Sequence, residues 1–276
     1  MAMLPNPLPR LADDPTGAEL GLSLPPGSLM DTTADGPWPE PLLWCADGPA
    51  QPGAWAGLLA GRSVGLLPVL IQEDTTHGGK LADWYLDPGR MSYPGDHDVE
   101  EFLAESWAGY VSEEEDPEEE LLEVLAPYGQ DWPGLAPAPA FDGDPDTTAA
   151  GVTAELVASG WLDRPRAALV HARRSADIPA AMGWGGPVNY EDDTGALSAV
   201  LRSWEDRYGL RVVALGLDTL TATVAAPPQT VAQAEAIAAE HFAFCPDIIT
   251  QGRHGSLSTY AAKALLGKNI WHFWWD

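Results

Sequence analysis

A histidine and a cysteine, His241 and Cys245, lie four positions apart in a segment whose apolar spacing predicts a helix. Two side chains at this spacing point the same way, so together they could supply two ligands to a zinc ion. The chain contains no CxxC or HExxH motif to complete such a site. Cys245 also continues the apolar line of the helix, which is typical of a small buried side chain. We therefore expect no metal ion, no cofactor, and a hydrogen-bonded structural His241 at the margin of the apolar stripe.

Carboxylates that could serve as a general acid and base occur at Glu205 and Asp206. Adjacent residues on a helix point about 100° apart, so this pair does not converge on one substrate. Asp206 lies four residues after Arg202, and that spacing predicts a surface ion pair between them. Asn189 lies in a polar loop that follows a run of glycines. The candidate catalytic residues are then His241, Glu205 and Asn189, which would act at a site between two domains.

Acidic residues dominate the chain, which has 276 residues, 14 Lys and Arg against 41 Asp and Glu, and a formal net charge of −27. This charge excludes a protein that binds nucleic acid through a basic surface. Residues 91–163 contain no Lys or Arg and hold 19 carboxylates. Such a segment must be solvated or must meet a basic partner. We expect a basic protein partner, and we assign its binding to Glu113, Glu114, Glu115, Glu118 and Glu119.

Tryptophan is the second unusual feature, with 12 in the chain and three in its last six residues. If residues 270–275 form a strand, Trp271, Phe273 and Trp275 lie on one face and His272 and Trp274 on the other. One face can be covered by helices of the same domain. The other needs cover from residues 1–125, a partner or a ligand. Trp274 is therefore assigned, with the glutamates, to partner binding.

The two cysteines are too few for a disulfide scaffold. No apolar run reaches the ~18–20 residues of a membrane span, and the first residues lack the features of a signal peptide. We expect a cytoplasmic protein that does not bind membranes. Its oligomeric state is not indicated.

The elements of the C-terminal part can be read from their spacing. They are a strand at 167–172, a helix at 194–208 capped by Asp193 or Thr194 and ended by Gly209, a hairpin at 211–225, a helix at 230–244 with a Thr230–Gln233 capping box, a helix at 257–266, and a strand at 270–275. With right-handed connections this order predicts an α+β fold: a ferredoxin-like sandwich, in which helices cover one face of a four-stranded antiparallel sheet.

The earlier residues predict a smaller α/β domain. An apolar run at 65–72 reads as a strand, which Pro68 places at the edge of a sheet or at a bulge. Residues 127–147 are rich in Pro and Gly and favour an extended linker. We predict an N-terminal α/β domain at 1–126 with an acidic segment at 96–123, a linker at 127–147, and a C-terminal α+β domain at 148–276 that folds alone.

Several stretches of the C-terminal part resemble a known family. They are VHARRSADIPAAMGW, LRSWEDRYG, the APP that follows the hairpin, AEHFAFCPD and the final WHFWWD. On the basis of these stretches, residues 165–276 resemble a bacterial family described as domain of unknown function 4253. The resemblance implies no activity, cofactor or site residue.

Two functions remain. The sequence favours a non-catalytic module that binds a basic protein, as an inhibitor or an immunity-type protein does, because of the acidic segment and the apolar second face of the sheet. The alternative is an enzyme that acts on a small substrate between the two domains, since catalytic residues often lie far apart in sequence.

Overall fold

The computed structural model describes residues 5–33, 35–73, 79–112, 119–162 and 164–276. The strands of these residues are β1 Gly27–Met30, β2 Thr32–Thr33, β3 Gly36–Pro37, β4 Leu43–Pro49, β5 Leu66–Ile71, β6 Arg166–His171, β7 Arg211–Leu215, β8 Thr219–Thr223 and β9 Ile270–Trp274. The α-helices are α1 Arg10–Asp13, α2 Ala54–Gly57, α3 Val99–Ser112, α4 Glu119–Val124, α5 Pro145–Ser159, α6 Ile178–Met182, α7 Thr194–Tyr208, α8 Val231–Phe244, α9 Asp247–Thr250 and α10 Leu257–Tyr260. α10 passes into a π-helical turn at Ala261–Leu265.

A seven-stranded sheet forms the centre of this α+β fold, in the order β1-β4-β6-β5-β7-β8-β9. Neighbouring strands are antiparallel except β5 and β7, which are parallel. The predicted four-stranded ferredoxin-like sandwich is therefore wrong. The strands predicted in the C-terminal part are present, but β5 lies between β6 and β7 and adds the early strands to the same sheet.

Helices cover both faces of the sheet, whereas the prediction placed them on one. α3, α7, α8 and α10 contribute to the larger apolar core, which includes Trp107, Trp204, Phe242 and Trp271. The second core, on the other face, joins the N-terminal segment, α2 and α5 around Trp44, Trp55 and Leu156. Much of the second face is thus covered from within the chain.

Pro68 lies inside the sheet, whereas the prediction placed it at an edge or at a bulge; the pairing of β5 with β6 has no register shift. β5 pairs with β6 along its whole length, but it pairs with β7 only at Leu70 and Ile71. The missing N–H of Pro68 therefore falls where the β7 side of the strand has no partner residue. The carbonyl of Pro68 accepts a hydrogen bond of 3.1 Å from Nε1 of Trp55.

Residues on both sides of the predicted boundary take part in the same structure. Within the predicted linker, Ala136 is buried and Trp132 packs against Trp107 with their ring centroids 5.7 Å apart. Asp146, in the first turn of α5, forms ion pairs with Arg62 and with Arg211. The division into 1–126, 127–147 and 148–276 stays a prediction about folding units, and the shared sheet weighs against it.

Candidate functional site

Helix α3, which lies within the acidic segment 96–123, is fixed to the body of the protein. Oδ1 of Asp98 accepts hydrogen bonds of 3.0 Å from the N–H groups of Glu100 and Glu101 and so caps α3. The buried face of the helix carries Leu103, Trp107 and Val111 at helical spacing. The ring of Trp107 meets that of Phe242 on α8 edge to face at 5.3 Å. α3 is therefore held in one orientation.

Three exposed residues of α3 are acidic: Glu100, Glu101 and Glu105. None of them forms an ion pair with another described residue. A helix fixed by its apolar face holds the backbone of these residues in place. We call Glu100, Glu101 and Glu105 the acidic surface; the acidic residues 113–118 that follow in sequence lie outside the described residues.

After the acidic residues 113–118, the described structure continues with α4. Leu125 is fully buried, and the carbonyl of Ala126 accepts a 3.0 Å hydrogen bond from Oγ of Ser258 at the start of α10. Four of the assigned glutamates, Glu113, Glu114, Glu115 and Glu118, lie outside the described residues. For Glu119 the structure describes the backbone, which begins α4. Both flanks of the assigned segment are thus anchored to the protein body.

His241 has a structural role, as predicted, but it lies in the core and not at the margin of the apolar stripe. It is fully buried, and its Nδ1 lies 2.9 Å from the hydroxyl of Tyr260. The rings of Trp271 and Phe273 pack around it, with centroids at 4.5 and 4.8 Å. Burial, with a smaller effect of Arg207, holds the pKa of His241 well below its usual value, so the ring is neutral.

Cys245 is a free, buried thiol whose Sγ lies 3.0 Å from the carbonyl oxygen of Trp274. Burial raises the pKa of this thiol, so it stays protonated and unreactive. In the ranges that the structure describes, no three His, Cys, Asp or Glu side chains cluster as metal ligands would.

A buried carboxylate that sequence reasoning missed lies beside His241. Glu240 is fully buried and receives two hydrogen bonds from Arg207, of 2.7 and 2.5 Å. Its oxygens also accept a 2.7 Å hydrogen bond from Nε1 of Trp204 and another of 2.7 Å from the N–H of Ala136. All of these donors hold the carboxylate in place, so Glu240 connects α7, α8 and residues 127–147 and has a structural role.

Glu205 also forms structural contacts. Its carboxylate accepts a 3.0 Å hydrogen bond from the N–H of Ala176 and lies 3.7 Å from Arg174 and 3.4 Å from Arg211. The predicted ion pair of Asp206 with Arg202 is wrong. Asp206 instead pairs with Arg174 at 2.5 Å. Arg202 makes a bidentate pair with Asp177, at 2.5 and 3.0 Å, because the 175–177 turn packs against α7.

Asn189 lies near neither His241 nor Glu205. Its side-chain amide donates a 3.3 Å hydrogen bond to the carbonyl of Asp276 and lines a surface pocket of about 700 Å³ with Glu191 and Asp247. The structure thus places His241 in the core, Glu205 on α7 beside Arg174 and Arg211, and Asn189 at the surface. It does not bring the three candidates together in one pocket.

Trp274 is half-buried on β9, on the face opposite Trp271 and Phe273, as the alternation predicted. It lines a second surface pocket of about 660 Å³, together with Trp161 and His272. At this end of the sheet the second face is therefore open, although the N-terminal segment covers it elsewhere.

Two serines have part of the arrangement expected of a catalytic nucleophile, and sequence reasoning missed both. Residues 61–65 read GRSVG, a GxSxG motif, but they precede strand β5 where a nucleophile elbow would follow a strand. Oγ of Ser63 donates to the carbonyl of Ala60 at 2.9 Å. Ser92 is different, because its Oγ lies 2.5 Å from Nε2 of His97 and it lines a pocket of about 320 Å³.

A comparison with family models finds one match, to the C-terminal part of the chain. Residues 166–276 match the family described as domain of unknown function (DUF4253). The match confirms the resemblance and spans β6 to β9 with the helices between them. Neither the curated proteins nor the solved structures contain a significant match to the chain. No helix in the described ranges is both long and apolar enough to cross a bilayer.

Proposed function

We propose that the chain is a non-catalytic protein-binding module, which engages a basic partner through the acidic surface and the acidic residues 113–120 that follow it in sequence, as an inhibitor or immunity-type protein does. The observation that carries the proposal is that Glu100, Glu101 and Glu105 are exposed and form no ion pair with another described residue, on a helix held in place by Trp107. The backbone that carries these carboxylates loses little further freedom when a partner binds.

The charge of the protein supports steering of a basic partner. A net charge of −27 creates a long-range field, and the segment without Lys or Arg concentrates it around α3 and α4. Such a field raises the rate of association with a basic protein and makes that rate depend on salt. His241, Glu205 and Glu240 all form structural contacts, which explain these residues without a catalytic role.

The test replaces Glu114, Glu115, Glu118 and Glu119 with Gln. A matched control replaces Asp13, Asp31, Asp35 and Glu40, exposed acidic residues of the N-terminal part, with their amides, which removes the same net charge. The partner is first captured from the native host at low salt. Its association rate with each protein is then measured by stopped flow across a salt series.

We expect the first variant to associate about tenfold or more slowly than the native protein and with a flatter salt dependence, because local charges act within a Debye length of ~8–10 Å. The control should retain most of the rate. Thermal unfolding of the first variant should be unchanged or shifted upwards, since like charges repel. Equal rates for all three proteins would contradict the proposal.

One contact favours the second candidate function, an enzyme acting on a small substrate. Ser92 and His97 come from the early part of the chain, and their pocket is also lined by Arg173, Asp177 and Arg202 from the later part. A serine in contact with an imidazole can act as a nucleophile. Asp193 lies 3.7 Å from the same Nε2 atom, whereas a catalytic triad places its carboxylate at Nδ1.

A serine-directed fluorophosphonate probe separates the two functions. An enzyme of this type would be labelled at Ser92, and Ser92→Ala or His97→Gln would abolish the labelling, while Ser63→Ala would not. Our proposal of a binding module expects no labelling at Ser92 in the native protein.

A further inference from the structure

The pocket beside Trp274 collects positive charge in a strongly acidic protein. Arg253, Lys263 and Lys268 line it, and the two lysines are among only three in the chain. No carboxylate of a described residue lines this pocket. The local charge is thus opposite to that of the protein as a whole.

These three cations have no partners within the described part of the chain, since none of their side chains forms an ion pair or hydrogen bond there. Eight arginines elsewhere do form ion pairs with carboxylates: Arg10, Arg62, Arg90, Arg166, Arg174, Arg202, Arg207 and Arg211. With 41 carboxylates in the chain, three unpaired cations around one pocket form a site suited to an external anion.

The elements around the pocket place these cations on three sides. Arg253 lies in the loop after α9, Lys263 in the π-helical turn, and Lys268 just before β9. A π-helical turn is rare and is frequently found at functional sites. Because β9 is the last strand of the sheet, no further strand covers the pocket on that side.

Aromatic side chains form the remaining wall. Trp161 is 46% exposed, and its ring meets that of His272 edge to face at 5.0 Å. Nδ1 of His272 lies 3.0 Å from Oγ1 of Thr221. Burial lowers the pKa of His272 to about 4, so this ring is neutral near pH 7 and the charge of the pocket comes from the three cations.

We propose that this pocket binds a small phosphate ester with a planar ring, such as a mononucleotide. Lysine and arginine bind phosphate oxygens, and an exposed tryptophan offers a surface on which a base can stack. The volume of about 660 Å³ suits a ligand of that size. The ligand is distinct from the basic partner of the acidic surface, because its charge is opposite.

Isothermal titration calorimetry of the full chain at physiological salt tests the proposal with three probes: adenosine 5′-monophosphate, adenosine and inorganic phosphate. We expect the nucleotide to bind more tightly than phosphate, and adenosine to bind least, because phosphate contacts and ring stacking act together. Binding of phosphate and nucleotide with equal affinity would contradict the role of the ring. No heat from either at millimolar concentration would overturn the whole proposal.

Variants locate the site. Lys263→Gln with Lys268→Gln should weaken nucleotide binding by about tenfold or more, since each charge-assisted contact is lost. Trp161→Leu should weaken the binding of nucleotide more than that of phosphate. Lys80→Gln changes the third lysine, which does not line the pocket, and should leave binding unchanged. Thermal unfolding confirms that each variant is folded, and equal effects of the Lys80 and the double lysine variants would contradict the assignment.

Discussion

Glu240 shows how a single buried charge can connect distant parts of the chain. Its carboxylate is shielded from water and satisfied by Arg207, Trp204 and Ala136. We expect Glu240→Gln to reduce the free energy of unfolding by about 3–5 kcal/mol, because Arg207 then lacks its counter-charge. Urea denaturation measures the loss. The same change at exposed Glu105 is the control and should stay within about 0.5 kcal/mol.

His272 should make stability depend on pH. Its pKa is about 4 in the folded protein because of burial, and near 6.5 when the chain is unfolded. Between these values the unfolded chain binds the proton and the folded protein does not, so stability falls as pH falls from about 6.5 to 4. The loss reaches at most about 1.4 kcal/mol per pH unit from this residue. His272→Asn should flatten the curve of unfolding free energy against pH in that window, and an unchanged slope would contradict the assignment.

At the level of residues, the sequence predicted environments better than partners. The apolar line through Ala238 and Phe242 indicated a buried Cys245, and Cys245 is buried. His241, at the margin of that line, was predicted as a hydrogen-bonded structural residue, and the structure also buries it completely. The partner of Glu240 is 33 residues away, and no local pattern pairs them. The three cations of the pocket likewise come from separate elements, so their proximity required the fold.

Two glycines test how the elements are joined. Gly183 ends α6 with a φ of 65°, and a Cβ there would lie 2.1 Å from the backbone nitrogen of Pro88. Gly183→Ala should therefore destabilise the protein by more than about 1 kcal/mol. Gly151 lies within α5 with no atom near its missing Cβ, so Gly151→Ala should stabilise by about 0.5–1 kcal/mol. Thermal unfolding compares them, and equal shifts would refute the role of the contact between α6 and Pro88.

At the level of elements, local signals were reliable and sheet order was not. Asp193 caps α7, Gly209 ends it, Thr230 and Gln233 form the capping box of α8, and β7 and β8 form the expected hairpin. Each of these depends on neighbours in sequence. β5 lies between β6 and β7 because apolar side chains more than a hundred residues apart in sequence pack together. The spacing of residues along the chain does not indicate such contacts.

The whole molecule is organised around strands contributed by both ends of the chain. β6 lies between β4 and β5, so both of its hydrogen-bonding edges are occupied by strands from residues 1–126. The family match begins at β6 and does not include these neighbours. Within this chain, the early residues extend the sheet of the matched region on the side of β6, and β9, beside the cationic pocket, is the edge strand at the other end.

This arrangement predicts the behaviour of the fragment 148–276. Without residues 1–126, β6 loses both neighbouring strands, and Leu169 and Val213 lose part of the second core. Unpaired strand edges and exposed apolar side chains are unfavourable in water. We expect the isolated fragment to aggregate or to unfold without a cooperative transition, in contrast to the full chain. Differential scanning calorimetry of both, with circular dichroism to detect residual structure, makes the comparison. Mixing with a separately expressed fragment 1–147 should restore a transition, because it supplies β4 and β5. A sharp, reversible transition in 148–276 alone would instead establish the independent C-terminal domain that the composition of the chain predicts.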